Sequence, residues 1–399
     1  MMEVSAARET VLRFAEPLPA QITPLSSPAL GQVLAVDVAS DVDSPPFAKA
    51  LMDGYAVRAA DLAGGPVALK LVGEVAAGAM PTVAVGPGEA VTVYTGAPLP
   101  DGADAVVVKE RCEATGGTVT ATDTALTPGK NILARAAEMR AGDVVIPTGT
   151  VLTPTAYGLL AAVGKTAVMA IPRPRLVVVA TGNELVEPAM KPRGGQIRNT
   201  NGPMLMAQAA SAGALPRYLG VCPDDADTMA SYVREGLEIA DVLVFAGGVS
   251  AGKFNLVPEV LKAHGVEIHL HHVRMKPGKP LLFGTKGKTL VFGLPGNPVS
   301  AFVGFELFVR PALRALGGHK HPGPRERRYP LSEPLTARHD RPTYHPARID
   351  FAAGVVHPLP WFGSADLRAL LGANALIALP AGEVNFEAGA VVKVLFTHG

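Results

Sequence analysis

The sequence predicts an α/β multidomain protein organised around one central, doubly wound α/β domain, with β-rich segments on both sides. Three observations carry this. At 399 residues the chain is too long for one core, and about 150 residues per domain implies two to four. In its middle third, apolar runs of strand length alternate with helix-periodic segments, the pattern of a parallel sheet covered on both faces. Outside that third, short strand-like runs are broken by turns; the 43 glycines and 36 prolines are spread throughout rather than gathered into a linker.

In chain order, Ser5 is placed to cap a helix carrying Ala7, Val11 and Phe14 or Ala15 inward. Strand-like runs follow at Val67 to Val75, Ala90 to Tyr94 and Ala105 to Lys109. Between Asn131 and Ile171, GDVVIPTGTVL reads as a hairpin. TPTAYGLLAAVG reads as a helix capped by Thr153, with Pro154 at the position that needs no N–H. Leu176 to Ala180 is a continuous apolar run, as a buried parallel strand requires. A helix is expected over Pro203 to Ala214, a strand over Tyr218 to Val221, and a helix over Asp224 to Ala240 with Met229, Tyr232, Val233 and Leu237 on one face. Strands at Val242 to Ala246, Ile268 to Val273 and Leu290 to Phe292 follow, with a helix at Leu256 to His264 and another from Pro298. From His321 onward, YHPARIDF, GVVHPLP, ALIALP and AVVKVLF predict a small β domain.

Composition excludes several classes. Apolar residues at 48% and charged residues at 18% rule out disorder. A formal net charge of +1 provides no global field for nucleic acid or an acidic membrane, so any anion must be held by local geometry. The N-terminal residues lack a hydrophobic signal core, and no uninterrupted apolar run reaches the ~18 residues of a span. Cys112 and Cys222 form no metal-ligand or CxxC spacing and read as reduced thiols. The expectation is a soluble, cytoplasmic protein that binds neither nucleic acid nor membrane.

Three loops follow predicted strands: Thr181-Gly182-Asn183-Glu184-Leu185, Gly247-Gly248-Val249-Ser250-Ala251-Gly252, and Gly293-Leu294-Pro295-Gly296-Asn297-Pro298. Small residues after a strand let backbone N–H groups approach a phosphate, and a helix start adds a favourable dipole. Asn297 is placed to cap the helix that Pro298 opens. Taken singly, each loop reads equally as a tight turn; three at corresponding strand ends favour a binding crevice. No GxGxxG follows the first strand and no GxxxxGK[ST] occurs, which sets aside the common dinucleotide and P-loop enzymes. In Lys276-Pro277-Gly278-Lys279-Pro280, prolines and a glycine restrain two ammonium groups suited to an oxyanion, against the alternative of a solvated basic turn. Asp53 in Met52-Asp53-Gly54-Tyr55 reads by composition alone as the end of a turn.

In order along the chain, PPF…MDGYAV, TGAPLPDGADAVV, TGNEL, NGPML, PDD, GGVSAG, MKPGKP and GLPGNPVS resemble the motifs of the molybdopterin molybdenumtransferases, the MoeA family that includes the E domain of gephyrin. The resemblance runs from about Pro45 to the C-terminus, and its specificity lies in the order of the motifs rather than in any one. The GGVS form resembles this family more than the sister adenylyltransferases, which share the MoaB/MogA-like α/β domain. The resemblance implies an elongated helix-plus-strand subdomain (residues 1–48 and 131–172), a β-rich subdomain (49–130), the α/β domain (173–320) and a C-terminal β-barrel-like domain (321–399). It implies insertion of molybdenum from molybdate into adenylated molybdopterin with release of AMP, Mg²⁺ as cofactor, and an upstream molybdopterin adenylyltransferase. It further implies a homodimer with a shared site, in which Asp53 and Thr95 come from the partner. By the same resemblance Asp53, Thr95, Glu184, Lys276 and Lys279 are catalytic. Gly182, Asn201, Asp224, Gly248, Ser250, Pro295, Gly296 and Asn297 would hold the pterin nucleotide, and Asp53, Glu184 and Asn255 the metal.

The chain departs from the family pattern at three places. PPFAKALMDGYA stands where the family has PPFDNSAMDGYA; Leu133, Ala136, Ala137 and Glu138 replace an RxxGED stretch; and Gly252-Lys253-Phe254-Asn255 replaces GDYD, losing two aspartates and gaining a lysine. A neutral Asn oxygen is a poorer Mg²⁺ ligand than a carboxylate. Two alternatives therefore stand beside catalysis: an altered paralogue carrying an anionic pterin or nucleotide, and a dimeric scaffold.

Overall fold

The computed structural model describes residues 1–25, 29–249 and 256–397. The chain forms two compact units, Val36–Thr148 with Pro154–Thr166, and Met1–Ala35 with Gly149–Thr153 and Ala167–Gly399.

The first of these is built on a six-stranded sheet in the order Ala105–Val108, Gly54–Val57, Glu89–Val93, Val67–Val75, Thr118–Ala121, Cys112–Thr115. The sheet is antiparallel except between Val67–Val75 and Glu89–Val93. Alternation along its strands builds a core on each face: Tyr55, Val57, Ala105 and Val107 join one, and Ala56, Val91, Val93 and Val106 the other. Gly54 lies so close to the Val107 carbonyl that a Cβ there would overlap it, so only glycine lets these strands pair beside Asp53. GDVVIPTGTVL is not a hairpin: Val144–Ile146 pairs with Val38–Ala39, about a hundred residues upstream, rather than with the residues after it. A helix does begin at Pro154 and runs to Ala162.

In the other unit, helix Val4–Phe14 buries Val4, Ala7 and Val11. Ser5 does not cap it; Glu3 holds the cap position without a side-chain bond, and Ser5 is already helical. Phe14 is 41% exposed, yet one ring face stacks on His269 with centroids 4.1 Å apart.

The α/β domain of that unit consists of β1 (Arg175–Thr181), α1 (Asn201–Ser211), β2 (Leu215–Cys222), α2 (Ala226–Ile239), β3 (Val242–Ala246), α3 (Val257–Ala263), β4 (Glu267–His271), β5 (Leu282–Lys286), β6 (Thr289–Leu294) and α4 (Pro298–Gly304). The sheet order is β2-β1-β3-β6-β5-β4. Its first four strands are parallel, and β5 runs antiparallel to both neighbours. Every residue of β3 is buried, as its unbroken apolar sequence requires, and each such Val or Leu contributes about 1.5–3 kcal/mol relative to exposure. One face packs on α1, α4 and the helix Val4–Phe14, the other on α2 and α3. Strand β5 was not expected from the sequence, because Gly284 and the Lys286–Thr289 turn interrupt the apolar pattern on which the reading depended.

The C-terminal segment forms a five-stranded sheet in the order Glu326–Pro330, Val391–Phe396, Ala375–Leu379, Thr343–Asp350, Val355–Pro358, plus a ribbon of Leu335–His339 with Gly382–Phe386. Among the described residues no helix is long and apolar enough to cross a membrane.

Candidate functional site

The parallel strands β1, β3 and β6 end side by side, and the described residues that follow them, including Gly182, Gly247 to Val249 and Pro295 to Asn297, surround a crevice of about 610 Å³. This is where an open α/β sheet places its ligand. Gly182, Glu184, Asn201, Asp224, Gly248, Pro295, Gly296 and Asn297 all line it.

Each wall has a local cause. Gly247 and Gly248 take φ of 108° and 64°, in the region that favours glycine, and a Cβ on Gly247 would sit 2.5 Å from the Thr181 carbonyl oxygen. These glycines let the β3 loop lie directly on the end of β1. Helix α1 begins at Asn201, two residues before the expected Pro203, which puts Asn201 in the crevice wall. Its Nδ2 donates to the Gly296 carbonyl at 2.7 Å and ties the α1 start to the β6 loop. Asn199 supports that start: its Oδ1 accepts from the Gly202 N–H at 3.0 Å and its Nδ2 donates to the Tyr218 hydroxyl at 2.7 Å. Asp224 does not belong to α2 as expected. Asp225 caps that helix by accepting from the Thr228 N–H at 2.8 Å. This leaves Asp224 in the loop, where its N–H donates to Asn183 Oδ1 at 3.0 Å and its Oδ2 accepts from the Asn183 N–H at 3.4 Å.

Asn297 also departs from expectation. It occupies the cap position of α4 but makes no side-chain cap bond; its Nδ2 donates instead to Ser364 Oγ at 2.8 Å. Ser364 belongs to a loop of the C-terminal segment, whose Ala365 and Leu367 complete the crevice rim.

An adjoining hollow of about 430 Å³ shares Pro280, Pro295 and Asn297 with the crevice and contains both Lys276 and Lys279. Its far wall is Arg341, Trp361, Gly363 and Ser364. The lysine loop is fixed from that side: the Lys276 N–H donates to the Pro342 carbonyl, and the Tyr344 N–H to the Lys276 carbonyl, each at 2.8 Å. Lys276 Nζ lies 3.3 Å from His339 Nδ1. Burial first, and the Lys276 charge second, hold His339 below the ordinary imidazole range, so at neutral pH it is uncharged and accepts that bond. Nothing in the sequence linked Arg341, Trp361 and Ser364 to lysines more than sixty residues away; the fold joins the two segments through the parallel bridge between Lys276 and Thr343.

Asp53 and Thr95 lie in the other compact unit. Asp53 Oδ1 accepts from the Thr95 N–H at 2.8 Å and from the Thr95 hydroxyl at 2.7 Å. The backbone bond first, then the hydroxyl bond, hold this exposed carboxyl below its usual pKa, with Lys109 adding to the effect. Ser250 and Asn255, expected at the ligand and the metal, lie outside the described residues, as does the Lys253 substitution. Among the described residues no three His, Cys, Asp or Glu side chains converge to hold a metal. Thr181 was not singled out by sequence, yet it lines the crevice; its hydroxyl and Asn201 Oδ1 are buried without a hydrogen-bond partner among the described residues.

Family models match three consecutive blocks of the chain: the MoeA N-terminal region (domain I and II) at residues 2–164, a probable molybdopterin binding domain at 177–315, and the MoeA C-terminal region (domain IV) at 328–397. A molybdopterin molybdenumtransferase of Staphylococcus aureus (strain Mu50 / ATCC 700699) is 33% identical over 401 residues, covering 99% of this chain and 95% of that one. The Bacillus subtilis (strain 168) protein of the same name is 34% identical over 383 residues, covering 92% and 87%. A crystal structure of the molybdopterin biosynthesis MoeA protein of Pyrococcus horikoshii superposes with a TM-score of 0.83 at 30% identity, covering all of both chains.

Proposed function

This chain belongs to the MoeA family of molybdopterin molybdenumtransferases, and from that premise we propose that it inserts molybdenum from molybdate into adenylated molybdopterin, releasing AMP and completing the molybdenum cofactor. The observation that carries this reading is the joined crevice and lysine hollow. One lobe presents glycine loops and a helix start to a nucleotide phosphate; the other presents Lys276, Lys279 and Arg341 to a second oxyanion. Two anions held next to each other are what a transfer between an adenylate and molybdate requires.

The residues divide the work. Backbone amides after β3 and β6 and the α4 start hold the phosphates, while Glu184 and Asp224, which both line the crevice, supply carboxylate oxygens. Mg²⁺ fits that donor set, because the ion is usually held by one or two carboxylates and completed by water and substrate phosphate. When bound it would neutralise phosphate charge. In our reading the second protomer of a homodimer adds Asp53, kept ionised by Thr95, to complete the site. Both cysteines are free thiols, as a reducing compartment keeps them, and we assign the reaction to the cytoplasm. The substrate comes from an enzyme that adenylates molybdopterin.

Incubation with adenylated molybdopterin, molybdate and Mg²⁺ tests the reading. Molybdate-dependent AMP release, with product that activates an apo-molybdoenzyme, is the expected result. Tight binding of the adenylate with no AMP release would overturn it in favour of a carrier.

A further inference from the structure

Two helices bring site residues to the crevice at their N-terminal ends: α1 starts with Asn201, and α4 starts immediately after Asn297. Two turns along α1, about 10 Å from Asn201, the side chain of Gln208 is buried at 7% exposure. It faces the continuation of α4, which widens into a π-helical segment, Phe305–Val309, before resuming as Arg310–Leu316. Gln208 Nε2 donates to Glu306 Oε1 at 2.6 Å and to the Phe302 carbonyl at 3.4 Å. Arg310 donates from Nε to Glu306 Oε2 at 2.6 Å, and from Nη2 to Glu306 Oε1 at 3.0 Å and Ser211 Oγ at 3.1 Å. Phe302, Glu306 and Arg310 are spaced by four, and the wider turn keeps all three on the face toward α1.

Stability alone does not account for this cluster. Glu306 is 3% exposed and Arg310 7%, and taking a charge pair out of water costs about what its attraction returns. The network lies inside an apolar core that includes Leu205 and Ala209 of α1, among which apolar side chains of similar volume would fit. What the charged network adds is direction, because its bonds form at only one rotation and one register of the two helices, even with Gln208 Oε1 left buried without a hydrogen-bond partner among the described residues.

We propose that Gln208, Glu306 and Arg310 are positioning residues, forming the far end of a clamp whose near end is the Asn201–Gly296 bond. They hold the α1 start and the β6 loop at the separation the nucleotide phosphate needs. The proposal rests on the reading of the crevice given above.

The test removes the network as a unit in the full chain, as Gln208→Leu with Glu306→Met and Arg310→Leu. A second variant, Gln208→Met, removes the two bonds that Gln208 makes and leaves the Glu306–Arg310 pair and the Arg310–Ser211 bond in place. The triple variant is expected to melt close to wild type but to bind AMP roughly tenfold more weakly by calorimetry. Amide exchange should accelerate at residues 201–204 and 294–299 and stay unchanged at 242–246. Gln208→Met should shift the same readouts in the same direction by less. A folded triple variant with wild-type AMP affinity and wild-type exchange would overturn the proposal. So would a triple variant that fails to fold while Gln208→Met behaves as wild type, since the network would then serve stability alone. Neither readout needs turnover, so absence of AMP release by the wild-type protein counts against the proposed reaction, not against the clamp.

Discussion

At Asp53 one neighbouring residue, Thr95, holds an exposed carboxylate in its ionised form. Its pKa in the folded protein is depressed by the two Thr95 bonds. The stability this contributes is present above the unfolded value of about 3.9 and is lost as pH falls through the lower folded value. At neutral pH the group is therefore charged. Thr95→Val removes the hydroxyl donor and keeps the N–H, so the Asp53 pKa should rise part of the way toward its ordinary value, as read by carbon-detected NMR titration. An unchanged titration would mean that the hydroxyl bond is not held in solution. Ala136 shows the converse, a residue at odds with its backbone. It has φ of 58°, at the position where the family pattern has glycine. The left-handed region costs an alanine about 1–2 kcal/mol, and the greater freedom of an unfolded glycine offsets about half of that. Ala136→Gly should stabilise the chain by about 0.5–1 kcal/mol in chemical denaturation. A loss of stability would show that the methyl group packs usefully.

Among the elements, the loops after β1, β3 and β6 show what was legible in the sequence. Continuous apolar runs announced β1 and β3, and glycines directly after them announced turns that must approach something closely. Strand β5 was hidden because Gly284 sits where a Cβ would meet the Glu267 carbonyl; the residue that lets β4 and β5 pair is the one that breaks the apolar pattern. The pairing of Val144–Ile146 with Val38–Ala39 was hidden for another reason, since local alternation predicts a strand but not a partner a hundred residues away. The Arg341 and Trp361 wall was hidden in the same way. Two glycines of the crevice separate fold from function. Gly247→Ala places a methyl 2.5 Å from the Thr181 carbonyl at φ of 108° and should destabilise by about 1–3 kcal/mol. Gly296→Ala meets nothing nearer than the Gly247 Cα at 3.8 Å, so stability should hold while AMP binding weakens. If calorimetry showed that Gly296→Ala binds AMP normally, the loop would be a turn rather than a wall of the site.

At the scale of the whole molecule, Asp53 and Thr95 belong to one compact unit, and the crevice and lysine hollow to the other. The shared-site proposal assigns the two groups of a working centre to different protomers of a homodimer, and this predicts complementation. On that proposal, a chain carrying Asp53→Ala and a chain carrying Lys279→Ala should each be inactive alone, because both sites of either homodimer would lack one group. Random exchange gives about half hybrids, each with one site missing both groups and one site intact, so about a quarter of wild-type activity should return. Asp53 is exposed and, among the described residues, its side chain bonds only to Thr95, so its removal should lower the thermal midpoint only slightly; with each variant shown folded by its melting curve, recovered activity reports site assembly rather than rescued folding. The control places both substitutions in one chain and mixes it with wild type. Hybrids of that kind carry one defect in each site, so the control should show no activity beyond that of the wild-type homodimers. Recovery in the control but not in the mixture of single variants would mean that Asp53 and Lys279 of the same chain act together, and the shared site would be wrong.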